Sequence, residues 1–351
     1  MQEKYEDKKI LWIKRLAIIS LSLLSILLFF KVYGYFSKSI QIIIGTVFPF
    51  ILSFILVYTL MPFINILSEK YKMKRNMAIT LVLAIFFTFF ISIILIIVPL
   101  IVKQFSEFIN YFNENQELIQ NKALSFISEN NINLKTSINN SKNAIFSNIF
   151  KFLSSGLSFV SGTFSLLFMT PIFTIMLIYS YDNIGKGIEK RLVYFKKENW
   201  LPLIKQIDHS IGKYIIVTVI DSFIMGFLSF CVFHFLKLEY SPLFAAMIGF
   251  WNAIPFIGPF IGLIPAVFYA LTKSLHLAIL TVVLITILQT IEGNILKPWL
   301  TSKSVSIHPI TTLLVVLIGG ALFGIIGAFT AIPVYIILKL TTIFYFENVK
   351  K

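Results

Sequence analysis

The sequence predicts an all-α, polytopic helical membrane protein of about eight membrane elements, with two Gly/Pro-broken helices, spanning or re-entrant, in its C-terminal half. Three observations carry this. Of the 351 residues, 57% are hydrophobic and only 13% are charged, about half the charge of an ordinary soluble domain. Mean hydropathy is +0.87, an excess too large for one signal peptide or a single anchor. Apolar runs of about 20 residues, the length that crosses a bilayer, recur along the chain. A soluble globular enzyme is thereby excluded.

The first helix is read at 16–35, behind Lys4, Lys8, Lys9, Lys14 and Arg15. No small-x-small cleavage site follows it and further spans come after, so it reads as retained. The second covers 40–67, with Pro49 and Pro62 as expected bends. A short basic loop, Lys70 to Arg75, separates it from the third at 77–102, and 1–102 thus forms an N-terminal three-helix membrane segment. Residues 103–151 are rich in Asn, Ser and Glu, with five Lys against four Glu. They read as a helical cap, in which Phe105, Phe108, Ile109 and Phe112 at helical spacing continue the third helix. The fourth membrane helix lies within 152–182. A basic interfacial segment, 183–213, follows it, with Tyr194 and Trp200 suited to the membrane edge.

Thirty Lys+Arg against sixteen Asp+Glu leave a formal net charge of +14. The basic residues gather at the N-terminus, at 70–75 and at 186–213, and are balanced in 103–151. The positive-inside rule then places the N-terminus in the cytoplasm and the cap outside. The same distribution, with no basic stripe on a soluble face, argues against a nucleic-acid partner. Cys231 is the one cysteine, so no disulfide framework or thiolate metal site is expected. The four histidines lack metal-ligand spacing, and no cofactor is expected.

Residues 214–351 read as a transport core. Two stretches in it, 242–272 and 309–340, are apolar but interrupted, the first by Asn252, Pro255, Gly258, Pro259, Gly262 and Pro265, the second by Gly319, Gly320, Gly324, Gly327 and Pro333. Their frames match: Ser241-Pro242 and His308-Pro309 open them, and Ile264-Pro265 and Ile332-Pro333 close them, 23 and 24 residues from Pro to Pro. Such paired breaks point to a solute pathway, because unwound backbone and half-helix ends meet polar cargo there. Gly320-x-x-x-Gly324 also fits close helix packing. Between them, after a plainer span at 275–291, lies a polar linker. Gln289 and Glu292 share a helical turn at its start, followed by Asn294, Lys297, Pro298 and Lys303. A carboxylate at membrane depth is a functional candidate, with Lys297 and Lys303 as counter-charges; an ordinary surface ion pair is the other reading. Asp221, inside the fifth span, is a second candidate ion carrier.

These residues carry a resemblance. Residues 254–259 (Ile-Pro-Phe-Ile-Gly-Pro), 292–298 (Glu-Gly-Asn-Ile-Leu-Lys-Pro), 303–309 (Lys-Ser-Val-Ser-Ile-His-Pro) and Gly319-Gly320-x-x-x-Gly324 are similar to the AI-2E transporter family of autoinducer-2 exporters and related permeases. The resemblance covers nearly the whole chain. It implies a multi-helix protein of the bacterial cell membrane that assembles as a homo-oligomer, a pentamer. Members are linked to autoinducer-2 release, to Na+/H+ antiport and to sporulation. The expected function is a secondary transporter exporting a small polar solute such as autoinducer-2, driven by a proton or sodium gradient. A Na+/H+ antiporter and a structural or sporulation-associated membrane protein are the alternatives. No G-x-x-x-x-G-K-[ST] and no catalytic constellation is present, so neither ATP drive nor enzyme activity is expected.

Overall fold

The computed structural model describes residues 20, 21, 24, 47–115, 164–301 and 307–349. The chain divides into two compact units, Met1–Phe48 and Pro49–Lys351, and the architecture below is that of the second. The predicted first helix falls outside the described residues except for 20, 21 and 24, which are helical. Residues 116–151 of the cap are also outside them.

Nine α-helices make up the described structure, without a strand among the described residues: α1 (Val47–Lys70), α2 (Arg75–Glu114), α3 (Phe164–Tyr194), α4 (Leu201–Phe235), α5 (Ser241–Trp251), α6 (Ile257–Lys273), α7 (Leu275–Ile291), α8 (Lys297–Thr301) and α9 (Pro309–Val349). Five stretches, from α1, α2, α4, α7 with α8, and α9, are long and apolar enough to cross a membrane. The protein is a multi-pass helical membrane protein. Local chemistry sets several boundaries. Pro202 and Pro242 stand in the first turns of α4 and α5, where a missing N–H costs nothing. The Ser274 hydroxyl caps α7 by accepting from the Leu277 N–H at 3.1 Å. Phe108 and Phe112 of α2 are buried against Phe233 and Phe244 of the same chain, with Phe108 and Phe244 edge to face at 5.4 Å.

Both interrupted stretches fold back on themselves. In the first, α5 ends at Trp251, and Pro255, which has no N–H and disfavours helix in the residue before it, prevents continuation. Phe256 adopts φ 65°, ψ −51°, and the Ile257 N–H bonds the Pro255 carbonyl at 2.8 Å. That is a strained γ-turn. Gly258 then passes so close that a Cβ there would overlap the Trp251 carbonyl, and one at Gly262 would lie 2.8 Å from Ile248 Cα. Hence α6 runs antiparallel to α5. In the second, Phe323 (φ −128°) and Gly324 (φ 64°, ψ −149°) break α9, and the backbones of Gly319 and Gly327 touch across the fold. The arm 309–322 is therefore about 21 Å long, short of a hydrocarbon core of about 30 Å, and α9 is not a single span.

The two hairpins open at opposite ends of α4. The first begins just beyond Phe235, and the Lys273–Glu239 ion pair at 3.4 Å returns the end of α6 to the same place. The last part of α9 lies at the other end, where Phe344 packs on Trp200 at 5.3 Å. The tip of the first hairpin meets the arms of the second in one apolar cluster that joins Trp251 and Ile254 to Val316, Ala331 and Ile332.

Candidate functional site

Three elements that start from one end of the molecule carry polar residues to a common depth. Asp221 lies 14 residues before the end of α4, Glu292 lies 17 residues beyond the start of α7, and Asn252 sits at the tip of the 11-residue α5. At about 1.5 Å per residue these are about 21, 25 and 16 Å from that end, each less than the thickness of a hydrocarbon layer, about 30 Å. Close approach of α4 and α5 brings them together. A Cβ on Gly249 would lie 3.0 Å from the Ser222 carbonyl oxygen and 3.1 Å from Gly226 Cα, so glycine at both positions lets the helices touch.

Asp221, Asn252 and Glu292 are 3, 3 and 4% exposed. The Asn252 amide donates to Asp221 Oδ2 at 3.0 Å and reaches Glu292 Oε1 at 3.4 Å. Lys297 Nζ lies 2.6 Å from Glu292 Oε1 and 3.9 Å from Asp221 Oδ2. The lysine comes into range through a π turn, Glu292–Leu296, in which the Lys297 N–H bonds the Glu292 carbonyl. In an α-helix a residue five positions on faces away; the wider π turn sets it above the first. Among the described residues this makes a linked group of two carboxylates, one amide and one ammonium. If all ionise, its net charge is −1.

The group has acceptor capacity left over. Asp221 Oδ1, Asn252 Oδ1 and the neighbouring Ser222 Oγ are buried and have no hydrogen-bond partner among the described residues, and the donor Gln289 Nε2, one turn before Glu292, has none there either. Buried polar atoms are nearly always satisfied by protein, water or an ion. Oxygens of this kind suit a proton, a water or a hard monovalent cation.

Of the sequence-predicted residues, Asp221, Asn252, Glu292 and Lys297 come together, and Pro255, Gly258 and Pro259 shape the tip that presents Asn252. Asn294 points its amide to the Thr290 carbonyl at 2.9 Å and is exposed; Pro298 is exposed in α8. The cluster is built without Gly319, Gly320 and Gly324, which shape the second hairpin. There Gly319 and Gly327 make the close approach, and a Cβ at Gly320 would meet only ordinary contact, 3.7 Å from Ala328 Cβ. Lys303 lies outside the described residues. A second polar centre was not anticipated from the sequence. Tyr58 and Tyr181 donate to the two oxygens of Asp208 at 2.6 and 2.8 Å, and Arg75 holds Asp182 at 3.1 and 3.2 Å. Its partners are up to 150 positions apart in the chain; the signal available was the pair of carboxylates Asp182 and Asp208 flanking a basic segment.

Comparison with known proteins agrees with this architecture. The chain is 26% identical over 348 residues to YrrI of Bacillus subtilis (strain 168), covering 96% of both chains. It is 24% identical over 322 residues to YueF of the same organism, covering 88% of this chain and 86% of that one. Both are named provisionally as transport proteins. A stretch of 139 residues is 30% identical to PerM of Escherichia coli (strain K12), provisionally named a permease, and covers 38% of this chain and 39% of PerM. The profile described as AI-2E family transporter matches residues 24–347, and the chain therefore belongs to the AI-2E transporter family.

Proposed function

We propose that this protein is a secondary transporter that moves a small polar solute, such as the autoinducer-2 signal, outward across the bacterial cell membrane, and that the Asp221–Asn252–Glu292–Lys297 cluster binds the coupling ion. The single observation behind this reading is two carboxylates buried at membrane depth with one lysine between them. An uncompensated charge is costly there, so uptake of one proton or one sodium ion brings the group from −1 to neutral. The orphan oxygens of Asp221, Asn252 and Ser222 favour a hard cation over an anionic ligand. Asn252 sits on a hairpin tip, so movement of the first hairpin against α4 and α7 changes the cluster's geometry and its cation affinity together. Affinity that differs between two states is what lets a gradient drive a conformational cycle.

The sodium/proton antiporter reading shares this cluster and needs no solute, since two cations competing for one site exchange directly. Reconstituted vesicles distinguish the two. With a proton or sodium gradient imposed, solute flux that falls at least tenfold in Glu292→Gln and Asp221→Asn, while solute exchange without a gradient persists, supports coupled export. Sodium-for-proton exchange with no added solute favours the antiporter. Wild-type flux in both variants would overturn the ion-binding role, and absence of any solute or ion flux in the wild-type protein would leave a structural or sporulation-associated protein as the better account.

A further inference from the structure

Past the uncharged apolar run that ends at Tyr181, α3 carries a second pattern that neither transport nor ion binding uses. The helix is 31 residues long, about 46 Å, or about 16 Å more than the hydrocarbon requires. Its first charged residue is Asp182. Beyond it, Ile184, Ile188, Leu192 and Phe195 recur at i, i+4, i+8 and i+11, an apolar stripe on the part of the helix that emerges from the membrane. Lys186, Lys190 and Arg191 share that part. Such a stripe gains nothing from facing water, and it continues the apolar surface of the span.

The end of α3 closes this pattern into a cleft. The Lys197 N–H bonds the Leu192 carbonyl at 2.8 Å and the Lys196 N–H bonds the Val193 carbonyl at 3.0 Å, the paired bonds of a Schellman cap. The left-handed residue of such a cap is usually glycine, yet here it is Lys196 at φ 53°. The cap doubles the chain back, which sets Lys197 beside Arg191. Ile188, Arg191, Leu192, Phe195 and Lys197 line an open cleft of about 420 Å³. Its lining is three apolar side chains and two cations, with no carboxylate. Trp200, an interfacial residue type, stands next to it with Lys197 Nζ 5.9 Å from its ring.

We propose that this cleft binds one anionic phospholipid, its phosphodiester between Arg191 and Lys197 and the start of an acyl chain along Ile188, Leu192 and Phe195. The cleft begins at Ile188, six residues or about 9 Å past Asp182, close to the headgroup layer that borders the hydrocarbon. Charge also fits: cationic side chains beside a membrane helix attract anionic lipid, and a guanidinium pairs phosphate oxygens two at a time. The apolar floor gives a free phosphate no advantage, but it accommodates an acyl chain.

The test uses the full-length protein in a neutral detergent, titrated with phosphatidylglycerol, with phosphatidylcholine of the same chains, and with inorganic phosphate. Bound lipid is counted by native mass spectrometry. Phosphatidylglycerol is expected to bind with clear preference over phosphatidylcholine, more weakly as salt rises, and with no competition from millimolar inorganic phosphate. At about fivefold per cation, the Arg191→Gln/Lys197→Gln double variant should lose about 25-fold in affinity. Arg191→Lys/Lys197→Arg, which keeps both charges, should stay near wild type and so excludes a general folding defect. Equal binding of phosphatidylcholine, or undiminished phosphatidylglycerol binding in the double glutamine variant, would overturn the proposal. So would a change of oligomer mass in that variant with lipid binding intact, since the cleft would then be a contact between copies of the chain.

Discussion

Asp208 and Asp221 stand on one helix, α4, thirteen residues apart, and their surroundings differ in completeness. Each oxygen of Asp208 accepts one phenol, Tyr58 at 2.6 Å and Tyr181 at 2.8 Å. Three helices, α1, α3 and α4, are tied by that single carboxylate. Asp221 instead shares its space with a second carboxylate and retains an oxygen with no protein partner. A buried polar group whose bonds are all made acts as a tie, since any change leaves a donor or acceptor stranded. One with surplus acceptors and like charge beside it is poised to take up a cation. The same residue type on the same helix thus ties helices at one level and, on the proposed function, exchanges a cation at another.

The largest expected effect comes from taking away Lys297, the cation that the described residues place in the Asp221 cluster. Lys297→Met leaves two buried carboxylates without compensation, and breaking a buried pair this way costs about 3 to 5 kcal/mol. A large fall in the thermal unfolding temperature in detergent is the readout. If charge balance is the cause, Lys297→Met combined with Glu292→Gln recovers most of the loss, because the remaining carboxylate is left with Asn252. A variant that is as stable as wild type would mean the cluster is hydrated like a surface, and the contrast with Asp208 would collapse.

At the Asp208 centre a smaller loss is expected, and with a different signature. Asp208→Ala strands two phenols in a half-buried setting, for about 2 to 3 kcal/mol, whereas Tyr58→Phe removes one charge-assisted bond, for about 1 to 2 kcal/mol. Gly212 contributes to the close fit, since a Cβ there would lie 2.8 Å from the Tyr58 ring. Stability should fall in both variants while the ratio of gradient-driven to exchange flux stays at the wild-type value. A change in that ratio would make Asp208 part of the ion path and erase the division between tie and exchange site.

Much of this contrast was legible in the sequence and some of it was not. Asp221 and Glu292 stood out because carboxylates are expensive in apolar segments, and the breaks at Pro255 and Gly324 because Pro and Gly end helices for local reasons. What periodicity does not encode is which helices touch. Asn252 bridges two candidates that the sequence offered separately, because the Gly226–Gly249 contact sets the distance between α4 and α5. The sequence placed Lys297 among the counter-charges of Glu292, but the π turn that delivers it is a one-residue departure from helical spacing. Tyr58 and Tyr181 read as ordinary aromatic residues of membrane helices; only the tertiary fold gives them a shared carboxylate.

The smallest effect is expected next to the Asp208 centre, at the ion pair of Arg75 and Asp182. Its geometry is the more regular of the two centres: Arg75 Nε and Nη2 each meet one oxygen of Asp182, at 3.1 and 3.2 Å, and Nη1 meets Asn65 Oδ1 at 2.6 Å. Exposure decides the outcome. The side chains are 31 and 51% exposed, so water and salt screen the pair, and exposed ion pairs contribute under about 1 kcal/mol. Asp182→Asn should therefore shift unfolding only slightly, and less in high salt than in low salt. Arg75→Ala removes the bond to Asn65 as well, and with it a link between α1 and the start of α2, so it should cost more than Asp182→Asn. Measuring both at two salt concentrations separates the charge from the hydrogen bond. An Asp182→Asn loss as large as that of Asp208→Ala would show that Arg75, Asp182 and Asp208 behave as one cooperative network, in which completeness alone does not explain the stability of this end of the protein.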